Sequence, residues 1–366
     1  MNAVKFSPDP ALPITKVIPE LLGAIERSSK LILTAPPGAG KTTIVPLALL
    51  AAGKIKGRII VLEPRRLAAR AAAERMAQSL NEAAGDTVGY RMRGQQKTST
   101  QTRIEVVTEG ILTRMLQSDP ELTGIGAVIF DEFHERSLNA DLGLALCLEA
   151  ASAFREDLRI LVMSATLDVA PLVTLMQHPP VIAAEGRSFP VAPIWLDRPL
   201  PKLIKFETAI CDLVLQALPQ TSGAVLVFLP GEREIHKTAA LLKSNLPRSC
   251  TVETLFGAMR FEDQKAALTP AVDTRKIILA TAIAETSLTI EGIRVVIDGG
   301  LARRAQYDPG SGMSRLITQR ASKAEATQRQ GRAGRLDSGW CYKLWSKAEE
   351  GAMAAFAPPE ISSADL

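Results

Sequence analysis

Three clusters of residues in this sequence have the types and spacing to act on phosphate. The first is Pro36-Pro37-Gly38-Ala39-Gly40-Lys41-Thr42-Thr43, which follows the apolar run Leu31-Ile32-Leu33. A buried strand that breaks into small residues and ends Gly-Lys-Thr lets backbone N–H groups close around phosphate oxygens, at the positive end of the helix that follows. Lys41 would neutralise β- and γ-phosphate charge, and Thr42 would put its hydroxyl on Mg²⁺. Gly38, Ala39, Gly40 and Thr43 complete the cradle, with Ala35 standing in the pattern's first glycine slot. The bland alternative is a turn in a small-residue linker.

The second cluster is Asp131-Glu132, ending the apolar run Ala127-Val128-Ile129-Phe130. A phosphate-loop enzyme needs such a pair at the strand neighbouring its loop. Asp131 would hold Mg²⁺ through water, and Glu132, also close to the ion, would orient and deprotonate the attacking water. An acidic turn at a strand end is the alternative for Asp-Glu taken alone. The third cluster is Gln328-Arg329-Gln330-Gly331-Arg332-Ala333-Gly334-Arg335. Its planar, permanently charged guanidinium groups are separated by small residues, which suits close approach to a phosphate. A solvated basic helix is the competing reading, and it fits Arg329 best.

The elements that must position these clusters can be read from the pattern. Short apolar runs at 58–62, 103–107, 127–130 and 159–163 alternate with helical patterns at 67–80 and 138–153, after a lead-in helix at 17–27. Such alternation marks a parallel α/β sheet. Pro46 should bend or shorten the helix after the phosphate loop. Residues 186–201 are proline-rich and aperiodic, which suits a passage between domains. Strand patterns then resume at 224–229, 252–256, 276–280 and 294–298, with a helix at 235–244 and a two-stranded hairpin within 301–322. The expected domains are therefore 1–188 and 189–366, both α/β. One phosphate loop for two sheets implies a single nucleotide cleft between them. The tail from Ala357-Pro358-Pro359 onward shows no terminal element.

The 366 residues, 46% hydrophobic and 22% charged, suffice for two domains with ample cores. A net charge of +4 confines any nucleic-acid surface to a local patch, and 4% aromatic residues favour backbone contacts over rows of stacking rings. The four cysteines and three histidines are scattered, which suggests neither a zinc site nor a disulfide framework. The first residues are not a basic-then-apolar leader, and no run approaches the roughly 18 apolar residues of a membrane span. A cytoplasmic protein is expected.

The continuation Phe133-His134-Glu135-Arg136 turns Asp131–His134 into a D-E-x-H sequence, and here the chain resembles the DEAH-box helicases of superfamily 2, closest to the HrpB-like bacterial branch. Eight motifs occur in the family's order. Besides the three clusters, Glu63-Pro64-Arg65-Arg66-Leu67-Ala68 resembles motif Ia, Thr108-Glu109-Gly110 motif Ib and Ser164-Ala165-Thr166 motif III. Val227-Phe228-Leu229-Pro230-Gly231 resembles motif IV, and the stretch from Thr281 to Glu291 motif V.

The resemblance implies two tandem RecA-like parallel-sheet domains that hydrolyse ATP with Mg²⁺ and move along single-stranded RNA, or RNA with a single-stranded tail, to part duplexes. In that family pattern Arg332 and Arg335 are arginine fingers and Gln328 helps hold the γ-phosphate or the attacking water. Ser164 and Thr166 couple the phosphate site to nucleic acid, with a strand-end cap as the alternative, and His134 links domains. Arg65, Arg66, Thr108 and Thr281 meet backbone phosphates, alongside the exposed-looking Arg91 and Arg93, and the 301–322 hairpin stands where the family separates strands.

By resemblance Arg75 stacks on one face of the base and Leu268, where the family often has phenylalanine, on the other. Glu291 replaces the family's usual ribose-binding aspartate. The DEAD-box group reads adenine with a glutamine upstream of the phosphate loop; none occurs here before Gln78. Other nucleoside triphosphates should therefore be accepted. The family continues past a Pro-Glu-Ile segment, here Pro359-Glu360-Ile361, into winged-helix, ratchet and OB-like domains. None follows in these 366 residues, so hydrolysis with poor unwinding is the expectation for this stretch. Two other readings stay open: a DNA-directed translocase, since backbone contacts do not select the sugar, and a nucleotide-controlled scaffold that binds nucleic acid without moving. The full hydrolytic set argues against the scaffold. The sequence implies no oligomeric state.

Overall fold

The computed structural model describes residues 4–165, 169–186, 189–271, 273–285, 290–308, 310–311, 313–335 and 337–362. The chain divides into two compact units, Met1–Gly186 with Pro359–Ile361, and Arg187–Pro358 with Ser362–Leu366. Among the described residues no helix is long and apolar enough to cross a membrane.

The first unit is built on strands β1 (Lys30–Thr34), β2 (Arg58–Glu63), β3 (Val88–Met92), β4 (Gln95–Lys97), β5 (Ile104–Thr108), β6 (Ile125–Phe130), β7 (Arg159–Ser164) and β8 (Val181–Ala183). They form one sheet in the order β4-β3-β5-β2-β6-β7-β1-β8, parallel except for the β3–β4 hairpin. Helices α1 (Ile18–Arg27), α2 (Lys41–Ala51), α3 (Arg66–Ser79), α4 (Glu109–Ser118), α5 (Leu138–Ala153) and α6 (Ala170–Leu175) connect and cover it. A strand's side chains alternate faces, so a sheet covered on both sides needs apolar residues at every position. Leu31, Leu33, Ile59, Val61, Ala127 and Ile129 enter one core, and Ile32, Ile60, Leu62, Val128 and Phe130 the other. That demand is why these strands read as unbroken apolar runs. β7 lies between β6 and β1, so the acids at the end of β6 are two strands from the phosphate loop rather than on the neighbouring strand.

Helix α2 runs unbroken through Pro46. The proline removes only the bond to the Thr42 carbonyl, and the packed apolar residues Ile44 to Leu50 hold the remainder.

The second unit carries strands β9 (Val191–Leu196), β10 (Ala224–Phe228), β11 (Cys250–Leu255), β12 (Arg275–Ala280) and β13 (Ile293–Asp298), the hairpin β14 (Leu301–Asp308) and β15 (Met313–Arg320), and β16 (Gly339–Ser346). Its main sheet is parallel in the order β11-β12-β10-β13-β16-β9. The helices are α7 (Phe206–Gln220), α8 (Glu232–Asn245), α9 (Phe261–Leu268), α10 (Lys323–Gly331) and α11 (Lys347–Gly351). The proline-rich passage of 186–201 is thus in part a strand: β9 pairs with β16 at the sheet edge, where Pro193 is tolerated.

The tail also differs from expectation. Residues Glu360–Ser362 form a short 3₁₀ turn. The Glu360 N–H donates to the Arg136 carbonyl at 3.1 Å, and its carboxylate accepts from the Leu138 N–H at 2.9 Å, so Pro359–Ile361 pack with the first unit.

Candidate nucleotide and nucleic-acid site

In the first unit, Gly38 and Gly40 hold left-handed φ of 82° and 92°, which only glycine adopts without strain. Ala35 has no such φ. It lies at the strand end, buried, with its N–H on the Ser164 carbonyl at 3.0 Å, which is why alanine serves in that slot. Gly40 caps α2, so the N–H groups of Lys41 and Thr42 face outward from the helix start, while the Thr43 N–H closes back on the Gly40 carbonyl at 3.3 Å.

Lys41, 3% exposed, places Nζ 3.2 Å from Glu132 Oε1. Burial works to lower the Lys41 pKa, and the Glu132 and Asp131 carboxylates override it, leaving the ammonium above its ordinary value. Thr42 Oγ1 donates to Asp131 Oδ2. Burial first, and the adjacent Glu132 second, push Asp131 up to about 6 against the pull of Lys41 and Thr42. A hydroxyl and a carboxylate side by side form a hard-oxygen donor set that fits Mg²⁺, which takes one or two protein oxygens plus phosphate and water.

Glu132 sits at φ 49°, ψ 33°, a left-handed conformation uncommon for a side-chain-bearing residue. It opens the 3₁₀ turn Phe133–Glu135, which Phe133 anchors by packing edge-on to Phe130 at 6.0 Å. His134 Nδ1 accepts the Ala165 N–H at 3.2 Å, so its other nitrogen carries the proton, 3.4 Å from Glu132 Oε2. Burial lowers the His134 pKa in spite of the nearby Glu132 and Glu135, and the ring is neutral. The histidine therefore ties the Asp131–His134 stretch to motif III within one unit. Ser164 is buried at the end of β7; Thr166 lies outside the described residues.

Of the expected nucleic-acid contacts, Arg66 and Arg93 are exposed, while Arg65 and Thr108 are half-buried at the starts of α3 and α4. Arg91 is not exposed as its sequence context suggests: its Nε lies 2.6 Å from Glu105 Oε1. Glu105 is fully buried and also takes Arg58 Nη1 at 3.1 Å, so three strands share one carboxylate. Arg75 is exposed on α3.

In the second unit a capping box of Ser322 and Glu325 starts α10. Arg329 is 2% exposed, which overturns the solvated-helix reading. Its guanidinium donates to Glu285 Oε1 at 2.6 Å, to Asp298 Oδ1 at 2.8 Å and to the Leu301 carbonyl at 3.2 Å, and stacks over Phe228 at 5.3 Å. Burial alone would depress Arg329; Glu285 and Asp298 raise it instead. The Gln328–Arg335 stretch is thereby fastened to motif V and to the root of the β14–β15 hairpin. Nothing in the sequence flags this role except an acid, Asp298, closing an apolar strand.

Arg332 is buried beside it, its Nε on the Glu285 carbonyl at 2.8 Å. Gln328 and Arg335 are half-buried. The two glycines of this motif differ. A Cβ on Gly331 would meet nothing within 4 Å, whereas one on Gly334 would lie 2.6 Å from the Phe189 carbonyl and 2.7 Å from Val191. Close approach to a phosphate thus cannot be the common reason for both. Thr281 is half-buried, following β12.

Leu268 and Glu291 line one cavity of about 530 Å³, together with Thr269, Lys276, Ile290 and Gly292. Lys276 Nζ donates to the Ala266 and Thr269 carbonyls at 3.1 and 2.7 Å, fixing the end of α9 that presents Leu268.

The chain matches the DEAD/DEAH box helicase family over residues 14–174 and the helicase conserved C-terminal domain over residues 206–337. It is 52% identical to the Escherichia coli (strain K12) protein named ATP-dependent RNA helicase HrpB, over 97% of this chain and 44% of that protein. Against the human ATP-dependent RNA helicase DHX33 the identity is 35%, over 97% of this chain and 52% of the relative. The crystal structure of the Escherichia coli DEAH/RHA helicase HrpB superposes with a TM-score of 0.92 at 51% identity, over 97% of this chain and 45% of that one. The chain thus spans about half the length of the curated relatives it matches.

Proposed function

The chain belongs to the DEAD/DEAH box helicases, and from that premise we propose that it is the ATPase motor of an RNA helicase. The observation that carries the reading is the paired contact of Lys41 with Glu132 and Thr42 with Asp131. A triphosphate entering the loop competes with Glu132 for Lys41. Substrate arrival therefore loosens the ion pair that engages the carboxylate, and Glu132 becomes available to orient water and accept its proton. Thr42 and Asp131 would hold Mg²⁺, which supplies positive charge to the phosphate oxygens when bound. Arg332 and Arg335 supply the charge that develops in the transition state, and Gln328 assists with the γ-phosphate or the water. Arg65, Arg66, Arg93, Thr108 and Thr281 grip RNA through its backbone, a contact that gives affinity without sequence choice. Movement on a single strand and a cytoplasmic place of work belong to this reading, in which the 366-residue chain by itself separates duplexes poorly.

Lys41→Ala should weaken nucleotide binding and hydrolysis together, because the ammonium neutralises charge present already in the bound ground state. Fluorescent-nucleotide titration beside a phosphate-release assay measures both; tight binding that survives the substitution would remove Lys41 from the phosphate site. An ATPase assay with RNA, single-stranded DNA or neither tests the whole reading. Stimulation by DNA alone favours a DNA translocase, and no hydrolysis at all favours the scaffold.

Discrimination among ATP, GTP, CTP and UTP should be weak. Arg75 and Leu268 would sandwich the base, with Glu291 at the ribose. A guanidinium and an aliphatic side chain attract any flat ring, whereas selection needs a polar partner left unpaired by the wrong base. Measured kcat/KM values for the four nucleotides check this, and an ATP preference well above about a hundredfold would require an edge-reading group.

A further inference from the structure

The five residues after Glu132 form a junction. His134 takes the Ala165 N–H of motif III at 3.2 Å. Glu135 Oε2 lies 3.2 Å from Nη2 of Arg65 in motif Ia. Ser137 Oγ donates to Glu109 Oε2 of motif Ib at 2.6 Å and caps α5 by accepting the Ala140 N–H at 3.1 Å. The turn is stiff: Glu135 N–H bonds back to the Glu132 carbonyl at 3.0 Å, and both Glu132 and Arg136 hold left-handed φ near 50°. A change at Glu135 is thus passed along three peptide bonds to Glu132.

The Arg65–Glu135 pair is half-buried, each side chain about one-fifth exposed. A guanidinium in that setting can serve a carboxylate or a phosphate, and the two acceptors compete for its donors. We infer that Glu135 is the positioning residue that reports occupancy of Arg65 by an RNA phosphate to Glu132. Without RNA, Glu135 is fastened to Arg65 and holds the turn in the geometry seen here, with Glu132 engaged by Lys41. A backbone phosphate draws Arg65 away, the turn loses that tether, and Glu132 shifts toward the water-activating position. The inference rests on the RNA-motor reading above and adds to it the route by which RNA would accelerate hydrolysis.

Glu135→Gln tests it, being isosteric and partly exposed. ATP turnover would be measured on the 366-residue chain with and without a single-stranded oligouridine, together with oligouridine affinity by fluorescence anisotropy. The amide holds Arg65 weakly, so turnover without RNA should rise toward the stimulated value. The stimulation ratio should fall by about fivefold or more, KM for ATP should stay unchanged, and oligouridine should bind more tightly. Glu135→Asp, which keeps the charge, should retain most of the stimulation. A purely structural residue would instead lower turnover in both states or raise KM, and either result overturns the inference. So does a Glu135→Gln variant as strongly stimulated as the unaltered chain. An unaltered chain that RNA does not stimulate brings down the RNA-motor reading and the inference with it.

Discussion

Replacing Arg332 with alanine is expected to cut ATP turnover by about a thousandfold while nucleotide affinity changes little. An arginine aimed at charge that develops only as the phosphoryl group transfers contributes to the transition state and not to the bound substrate. The structure adds a reason for a large effect: Arg332 is 3% exposed and its Nε is fixed on the Glu285 carbonyl. The guanidinium is thereby held in place before substrate arrives, which limits the reorganisation that the reaction requires. Lysine should not rescue, since it lacks a fixed planar fork. Single-turnover hydrolysis beside equilibrium nucleotide binding checks the expectation, and equal losses in both would make Arg332 a structural residue only.

Arg329→Ala should cost the second unit about 3–5 kcal/mol of stability. The guanidinium is fully enclosed and is paired with two enclosed carboxylates, Glu285 and Asp298. Truncation takes this counter-charge away from both buried acids, which is far costlier than never having had the trio. Combining Arg329→Met with Glu285→Gln and Asp298→Asn should therefore recover much of the loss. Urea denaturation measures both variants. A single-variant loss below about 1 kcal/mol would mean that water reaches the acids, as at exposed ion pairs.

The comparison of these two arginines shows where sequence reading reached and where it stopped. The phosphate loop and the ends of β6 and β7 were legible because their chemistry is local: a glycine's φ or an acid at a strand end depends on few neighbours. The parallel strands were legible because burial on both faces forces apolar runs. Strand β9 was hidden by Pro193 and by flanking prolines that mimic a linker, and only its place at the sheet edge reconciles the two. Strand β16, Gly-Trp-Cys-Tyr-Lys-Leu-Trp-Ser, mixes aromatic and polar residues and matches no simple period. The partners of Arg91 and Arg329 lie 14, 44 and 31 positions away along the chain. A charge's solvent exposure depends on such distant partners, so Arg91 read as exposed and Arg329 as solvated.

The unequal surroundings of Gly331 and Gly334 bear on how this motif can drift. Two glycines in a repeated Gly-Arg pattern look interchangeable in a family profile, yet the space around them makes different demands. At Gly331 an added methyl meets open space, so any pressure against alanine there must come from what the motif binds. At Gly334 an added methyl strikes the backbone that leads into β9, so the pressure comes from folding, and it persists in a chain that has lost all catalytic activity. In a lineage released from selection for hydrolysis but still selected to fold, Gly331 should wander first and Gly334 should be among the last letters of the motif to change.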